Sequence, residues 1–400
     1  MTLTYQDILD AQKRLSNTVH RTTLYCSETF STFADCKIYL KTENLQKTGS
    51  FKVRGAYNKI AKLASQKKLS TVVAASAGNH AQGVAFAAEE RGIESIIVMP
   101  KGTPIAKVSA TSGYGAKTVL HGDFYDDAYA YAKQLSSEKN AEFIHPFDDE
   151  DVIAGQGTIA LEMLQDKPDL DVIICPVGGG GLLAGIAFAA KQIKPSIKVI
   201  GVQAANANAA VLSLKKKKVV SLDNIYTIAD GIAVKTPGKT TMDYISKYAD
   251  DICTVTDDEI AETIIHLMER AKLFVETAGA TPLALAISKR LNLKGKKVGC
   301  VLSGGNIDVG FIHKIIEKGL VSRGRVMKLS VVLSDKPGAL EHFASVMNQN
   351  NANIISIQYD RTSTELSLNE TILHIEFESS GHQQGKQVLE NLKKSGYVLI

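Results

Sequence analysis

Short, charge-poor apolar runs that stop at small-residue loops and pass into helical stripes recur through most of this chain. Thr71-Val72-Val73-Ala74-Ala75 runs straight into Ser76-Ala77-Gly78-Asn79-His80, and a helix with Ala81, Val84, Ala85 and Ala88 on one face follows. The run 95–99 is stopped by Pro100. Thr103-Pro104 starts a helix that ends near Gly113 and Gly115, before a strand at 117–120. The rhythm resumes at 171–177, 198–202, 252–255 and 297–303. This alternation predicts parallel βαβ units, and strands with so few charges are expected to be covered on both faces. Ligands of such sheets bind outside the carboxyl ends of the strands. The loops at Ser76, Gly178 and Ser303 all sit at strand ends, so one crevice can gather them.

Around this frame, residues 5–16 predict an amphipathic helix with Ile8, Leu9 and Leu15 toward a core, and 37–41 an alternating strand. Residues 172–190 carry no charge, a length that raises the question of a membrane span. Pro176 and the glycines 178–181 interrupt them, so a buried strand, a loop and a buried helix are expected instead. Period and composition shift after 319–325. The tail then shows a strand at 327–333, a helix with Leu340, Phe343, Ala344 and Met347 on one face, and strands at 353–359 and 371–377. A helix at about 383–394 and a short end at 398–400 complete a ferredoxin-like βαββαβ unit.

Hydrophobic residues at 44%, charged residues at 22% and a net charge of +4 describe an ordinary globular chain of 400 residues, long enough for more than one domain. The basic run Lys215 to Lys218 has no interleaved aromatics and predicts a solvated segment, not a nucleic-acid patch. Five cysteines without C-x-x-C spacing suit reduced thiols, and the N-terminal residues lack the pattern of a signal peptide. A cytoplasmic protein is expected.

One lysine stands out by its company. Lys52 lies between Phe51 and Val53, after a Gly49-Ser50 turn and at the predicted start of a helix. Desolvation disfavours the ammonium form, so a nucleophilic free amine becomes accessible. Gly178-Gly179-Gly180-Gly181, between a buried strand and a helix, offers unobstructed backbone N–H groups at a positive helix end. A tight turn needs fewer glycines. A dinucleotide site wants an acidic residue after the next strand, which here ends Gly201-Val202-Gln203-Ala204. A small phosphorylated cofactor fits better. The Ser76 to His80 loop suits a carboxylate at another helix N-terminus, or is a plain N-cap. Ser303 in Ser303-Gly304-Gly305-Asn306 is either a neutral partner for a ring nitrogen or a turn serine. Glu276 is either a surface residue or a pocket carboxylate.

In combination, these motifs resemble the fold-type-II pyridoxal-phosphate enzymes, and within them the threonine dehydratases (threonine ammonia-lyases). The likeness spans nearly all of residues 5–320. It is carried by Ser50-Phe51-Lys52-Val53-Arg54-Gly55-Ala56, residues 76–83, Gly102-Thr103-Pro104, His145-Pro146-Phe147-Asp148, the four glycines, Asp230-Gly231-Ile232-Ala233-Val234 and residues 303–306. The resemblance implies an α/β fold with two open, parallel-type sheets and covering helices, like the tryptophan synthase β chain. A smaller subdomain of about 54–148 would lie within a catalytic region 1–322.

It further implies that Lys52 carries the Schiff base of pyridoxal 5'-phosphate, that Phe51 lies against its ring and that Asn79 bonds its ring oxygen. Gly178, Gly179, Gly180 and Gly181, with Leu182, would hold the phosphate, Ser303 would face the pyridine nitrogen, and Glu276 would join the cofactor set. Ser76, Asn79 and His80 would take the substrate carboxylate. The freed Lys52 would remove the α-proton, the β-hydroxyl would leave, and 2-oxobutanoate and ammonia would follow from threonine, or pyruvate from serine. A serine opposite the ring nitrogen favours prompt elimination. Ala77 stands where serine racemases carry a hydroxyl, which speaks against racemisation. Residues 203–209 lack the carboxylates with which those relatives bind a divalent cation, so no metal is expected there.

After a linker at 323–326, residues 327–400 resemble an ACT domain. Its effector residues would be Asp335, Gly338, Ala339, Leu340, Asn353 and Ile354, with an amino acid such as isoleucine or valine as ligand. A tail that only oligomerises and binds nothing remains the alternative. A homodimer or homotetramer is expected, with neither nucleic acid nor membrane as partner. β-Replacement or racemisation on the same cofactor, and a non-catalytic amino-acid sensor, are the competing functions.

Overall fold

The computed structural model describes residues 2–364 and 366–400; Met1 and Glu365 lie outside the described residues. The chain divides into two compact units, Met1–Ile307 and Asp308–Ile400.

The first unit opens with the helix Tyr5–Leu15, closed at its start by a capping box between Thr4 and Asp7. Its buried face is Ile8, Ala11 and Leu15, with Leu9 only partly covered. Strands β1 (Leu24–Cys26) and β2 (Lys37–Lys41) begin the larger sheet. The chain then leaves it to build a smaller sheet from β3 (Thr71–Ala75), β4 (Glu94–Met99), β5 (Lys117–Leu120) and β6 (Glu142–Phe143). It returns with β7 (Val172–Pro176), β8 (Lys198–Ala204), β9 (Asp251–Val255) and β10 (Lys297–Val301).

The larger sheet has the order β1-β2-β10-β7-β8-β9 and the smaller one β5-β4-β3-β6. Every pairing in them is parallel except β1 with β2, an antiparallel edge that the βαβ rhythm did not foresee. All five residues of β7 are buried, as expected of a strand covered on both faces. The charge-free stretch resolves into β7, a glycine loop and the helix Gly181–Ile193. Among the described residues no helix is long and apolar enough to cross a membrane. All five cysteines are free. Gln203, at the end of β8, ties that strand to the helix after it. Its side-chain oxygen accepts from the N–H groups of Ala210 and Val211 (2.9 and 3.0 Å) at the helix start.

The second unit begins with the helix Val309–Ser322. That helix was expected in the preceding region, before a linker at 323–326. It is tied to the tail instead: His382 Nε2 donates to the Ser322 carbonyl (2.9 Å). β11 (Val326–Ser334), β12 (Asn353–Asp360), β13 (Glu370–Glu378) and β14 (Val398–Leu399) form an antiparallel sheet of order β12-β13-β11-β14. The helices Ala339–Gln349 and His382–Lys394 bury Phe343, Val346, Met347, Val388 and Leu392 against Val331, Leu373, Ile375 and Phe377. This is the predicted ferredoxin-like order.

Candidate active site

Lys52 opens the helix Lys52–Gln66, which has no side-chain cap. Its start is held from both sides. The Phe51 N–H donates to the Ser303 carbonyl (3.0 Å), and Ser50 forms an antiparallel bridge with Gly304. Two residues on, Arg54 is fully buried in a four-charge cluster. Its guanidinium binds both Glu43 oxygens (2.8 Å each) and both Glu162 oxygens (2.7 and 2.9 Å), while Lys41 Nζ binds Glu162 (2.5 Å). Two cations and two carboxylates cancel, which is how such charges tolerate burial. Among the described residues no carboxylate lies at bonding distance from Lys52. Its Nζ donates to the Pro146 carbonyl (3.0 Å) and lies 5.5 Å from the centre of the Phe51 ring. Burial lowers its pKa to about 8 against an opposing pull from Glu276.

The segment His145-Pro146-Phe147-Asp148 joins this lysine to the glycine loop. His145 Nδ1 accepts from the Phe147 and Asp148 N–H groups (3.3 and 2.8 Å), which fixes the turn. Phe147 then packs on the loop so closely that a Cβ at Gly179 would run into its ring and one at Gly181 would meet its backbone. Asp148 accepts from the Thr241 N–H (3.0 Å), and Thr241 Oγ1 donates to the Gly179 carbonyl (2.7 Å). Gly180 has φ +100, a turn that glycine makes without strain, and it leads into the helix Gly181–Ile193. The first-turn amides of that helix have no intrahelical partner and no side-chain cap, an arrangement suited to an anion. Leu182 points into the core, so only its backbone can serve a ligand.

Asn79 begins the helix Asn79–Glu89 beyond β3. Its Nδ2 donates to both oxygens of Glu276 (3.0 and 2.9 Å), and its Oδ1 accepts from Asn306 Nδ2 (2.8 Å). Glu276 is therefore a buried carboxylate beside Asn79 and not a surface residue. It is buried, and desolvation raises its pKa to about 7 in spite of Asn79 and Lys52. Ser76 Oγ accepts from the Gly78 N–H (3.2 Å), a local turn bond, within the loop that carries Asn79.

The His80 side chain departs from the expectation that it takes a substrate carboxylate. Its ring is buried and Nε2 donates to the Ile144 carbonyl (2.9 Å); desolvation and the Lys52 charge push its pKa down to about 3. A neutral imidazole whose one N–H is committed to a carbonyl has no side-chain donor left for a carboxylate, so only the backbone N–H of residue 80 can serve one. Ser303 is buried just past β10, beside Phe51.

The residues present suit pyridoxal phosphate. A lysine with lowered proton affinity, a helix N-terminus behind glycines, an oriented amide and a buried serine are brought together at the carboxyl ends of β3, β7 and β10 by the contacts of Lys52 with Pro146, Phe147 with the glycine loop, Asn79 with Glu276 and Phe51 with Ser303. Reasoning from sequence missed the roles of Pro146, Phe147, Asp148 and Asn306, although all four stand in the quoted motifs. No sequence signal singled out Thr241.

In the second unit, Gly338 (φ +90) precedes the helix Ala339–Gln349, and Asp335 pairs with Arg361 (3.2 Å). Asn353 and Ile354 start β12, where Asn353 bonds the Glu378 side chain (2.9 Å) and Ile354 packs on the core. Glu378 is level with Val326 at the start of β11, whereas Asp335 follows that strand's far end. The nine residues of that strand separate the two groups, roughly 31 Å at about 3.4 Å per residue. One copy of the tail does not bring the six expected effector residues together.

The fold and the crevice define a class, and comparison with known proteins agrees with it: residues 15–304 match the family described as pyridoxal-phosphate dependent enzyme, and the chain belongs to that family. Within it, the chain is 45% identical over 395 residues to an L-threonine ammonia-lyase of Thermotoga maritima, covering 99% of this chain and 98% of that one. It is 48% identical over 398 residues to an L-threonine ammonia-lyase of Geobacter sulfurreducens, covering 99% of each. Among solved structures, the processed form of threonine deaminase isoform 2 from Solanum lycopersicum superposes with a TM-score of 0.75 at 36% identity, covering 78% of this chain and 87% of that one.

Proposed function

We propose that this chain deaminates L-threonine to 2-oxobutanoate and ammonia, and L-serine to pyruvate and ammonia, with pyridoxal phosphate as cofactor. The observation that carries this reading is the Lys52 amine, held at a pKa of about 8 between the Phe51 ring and the Pro146 carbonyl. When bound, the cofactor supplies an aldehyde for that amine and an electron sink for the pair left at Cα. Lys52 takes the α-proton, because at neutral to mildly alkaline pH its lowered affinity makes the free base accessible. The backbone amides at the start of the helix Asn79–Glu89, that of Asn79 included, bind the substrate carboxylate together with the Ser76 hydroxyl. The glycine-loop amides hold phosphate. The Ser303 hydroxyl is suited to a neutral hydrogen bond at the pyridine nitrogen, and Ala77 offers no proton for a second face of Cα, which favours elimination over racemisation. The long separation of the two effector groups suits an amino-acid site shared between copies of the tail, as in a cytoplasmic homodimer or homotetramer.

The test is direct. Full-length protein should release 2-oxobutanoate from threonine without a thiol, and Lys52→Ala should lower the rate at least about 10²–10⁴-fold, the range typical of a lost acid–base group. Borohydride reduction of the holo-protein should tag Lys52. A tag elsewhere, or none, overturns the reading.

A further inference from the structure

We propose that Asn306 is a positioning residue, which sets the donor direction of the Asn79 amide and through it holds the Glu276 carboxylate beside Lys52. This rests on the proposed function, since it concerns the same crevice.

The argument is one of hydrogen-bond polarity. A carboxamide is nearly symmetric in shape, so its neighbours decide which end donates. Asn306 Nδ2 lies 2.8 Å from the Thr48 carbonyl, a group that can only accept. Its second hydrogen then points to Asn79, 2.8 Å away, so the Asn79 atom facing it must be Oδ1. The other end of Asn79 must therefore be the NH₂ group, and it meets both oxygens of Glu276. Thus one backbone carbonyl fixes the direction of two amides, and the second presents its donors to both oxygens of a carboxylate. With an acceptor in place of the Asn306 NH₂ group, the Asn79 donors are contested between residue 306 and Glu276, and one of the two carboxylates must face the amide oxygen.

The backbone makes room for this relay at three places. Thr48 adopts φ +63, uncommon for a non-glycine residue. A Cβ at Gly49, itself at φ +70, would run into the Asn306 carboxamide, and one at Gly304 would meet the Glu276 carboxylate. The groups acting on Glu276 are Asn79 from one helix, Lys52 from another, Asp230 from the turn Asp230–Ile232 and Lys107 from Ile105–Ser112. Asn79, Lys52 and Lys107 favour its ionised form, and Asp230 opposes it. Loss of the Asn79 donors should raise the affinity of Glu276 for its proton.

The test compares wild-type holoenzyme with Asn306→Asp, which keeps the shape and removes both donors, and with Asn306→Ser, which keeps one. Three quantities are read: the pH titration of the bound cofactor's visible absorbance, the cofactor dissociation constant, and the acidic limb of kcat for threonine. Asn306→Asp should move the titration and the limb upward by about one pH unit and weaken cofactor binding about tenfold. Asn306→Ser should fall between. In Glu276→Gln, adding Asn306→Asp should produce no further shift. An unchanged titration in both Asn306 variants, or a melting-temperature loss without any shift, overturns the inference. Wild-type protein that binds no cofactor overturns the proposed function instead.

Discussion

At the scale of single residues, Lys52 and Glu276 carry opposite pressures from the same cause. Desolvation lowers the proton affinity of the amine and raises that of the carboxyl, to about 8 and about 7. The two histidines nearby, His80 and His145, are pushed down to about 3 and about 4 by burial and stay neutral through the working range. A pH limb near neutrality in catalysis should therefore belong to Glu276 and survive replacement of His145. For Lys52 the sign is equally definite. Acylation of this amine in cofactor-free protein, followed site by site by mass spectrometry, should rise about tenfold per pH unit up to about 8 and then level off. A solvated lysine would keep rising toward 10.5, and such a curve at residue 52 would contradict the buried setting. Because the unfolded chain binds the proton more tightly than the folded one, stability from this group should increase as pH climbs from about 8 to 10.5.

At the scale of elements, the glycine loop depends on what packs behind it. Gly179→Ala would force the Phe147 ring to move, and Phe147 belongs to the turn whose Pro146 carbonyl receives Lys52. The variant should lose cofactor affinity and about 1–3 kcal/mol of stability, readable by fluorescence titration and urea unfolding. The helix that carries Lys52 is anchored by the buried cluster of Lys41, Glu43, Arg54 and Glu162. Arg54→Met would leave two carboxylates facing one ammonium. It should cost about 3–5 kcal/mol in the same unfolding experiment, because a buried charge without its partner keeps its desolvation penalty. A loss under about 1 kcal/mol would mean that water reaches the cluster.

At the scale of the molecule, the two units invite separate tests. A chain ending at Ile307 should keep cofactor absorbance and threonine turnover within about tenfold, since each unit has its own core. It should lose any response to isoleucine or valine shown by full-length protein; a response that persisted would place the effector in the first unit. Much of this organisation was legible in the sequence. Strand runs, glycine loops and caps are encoded within a few residues, so β5 and its neighbours fell where periodicity put them, and Lys52 was marked by adjacent apolar side chains. Direction and distance were not legible. Packing between residues far apart in sequence turned the His80 ring onto Ile144, drove Leu182 into the core and set Phe147 on Gly179. Sheet register likewise placed Asn353 and Asp335 at opposite ends of the tail. By itself the sequence determined which chemical groups are available and on which loops. Only the tertiary structure decided which of them face the crevice, because burial and hydrogen-bond polarity are properties of neighbours that local sequence does not name.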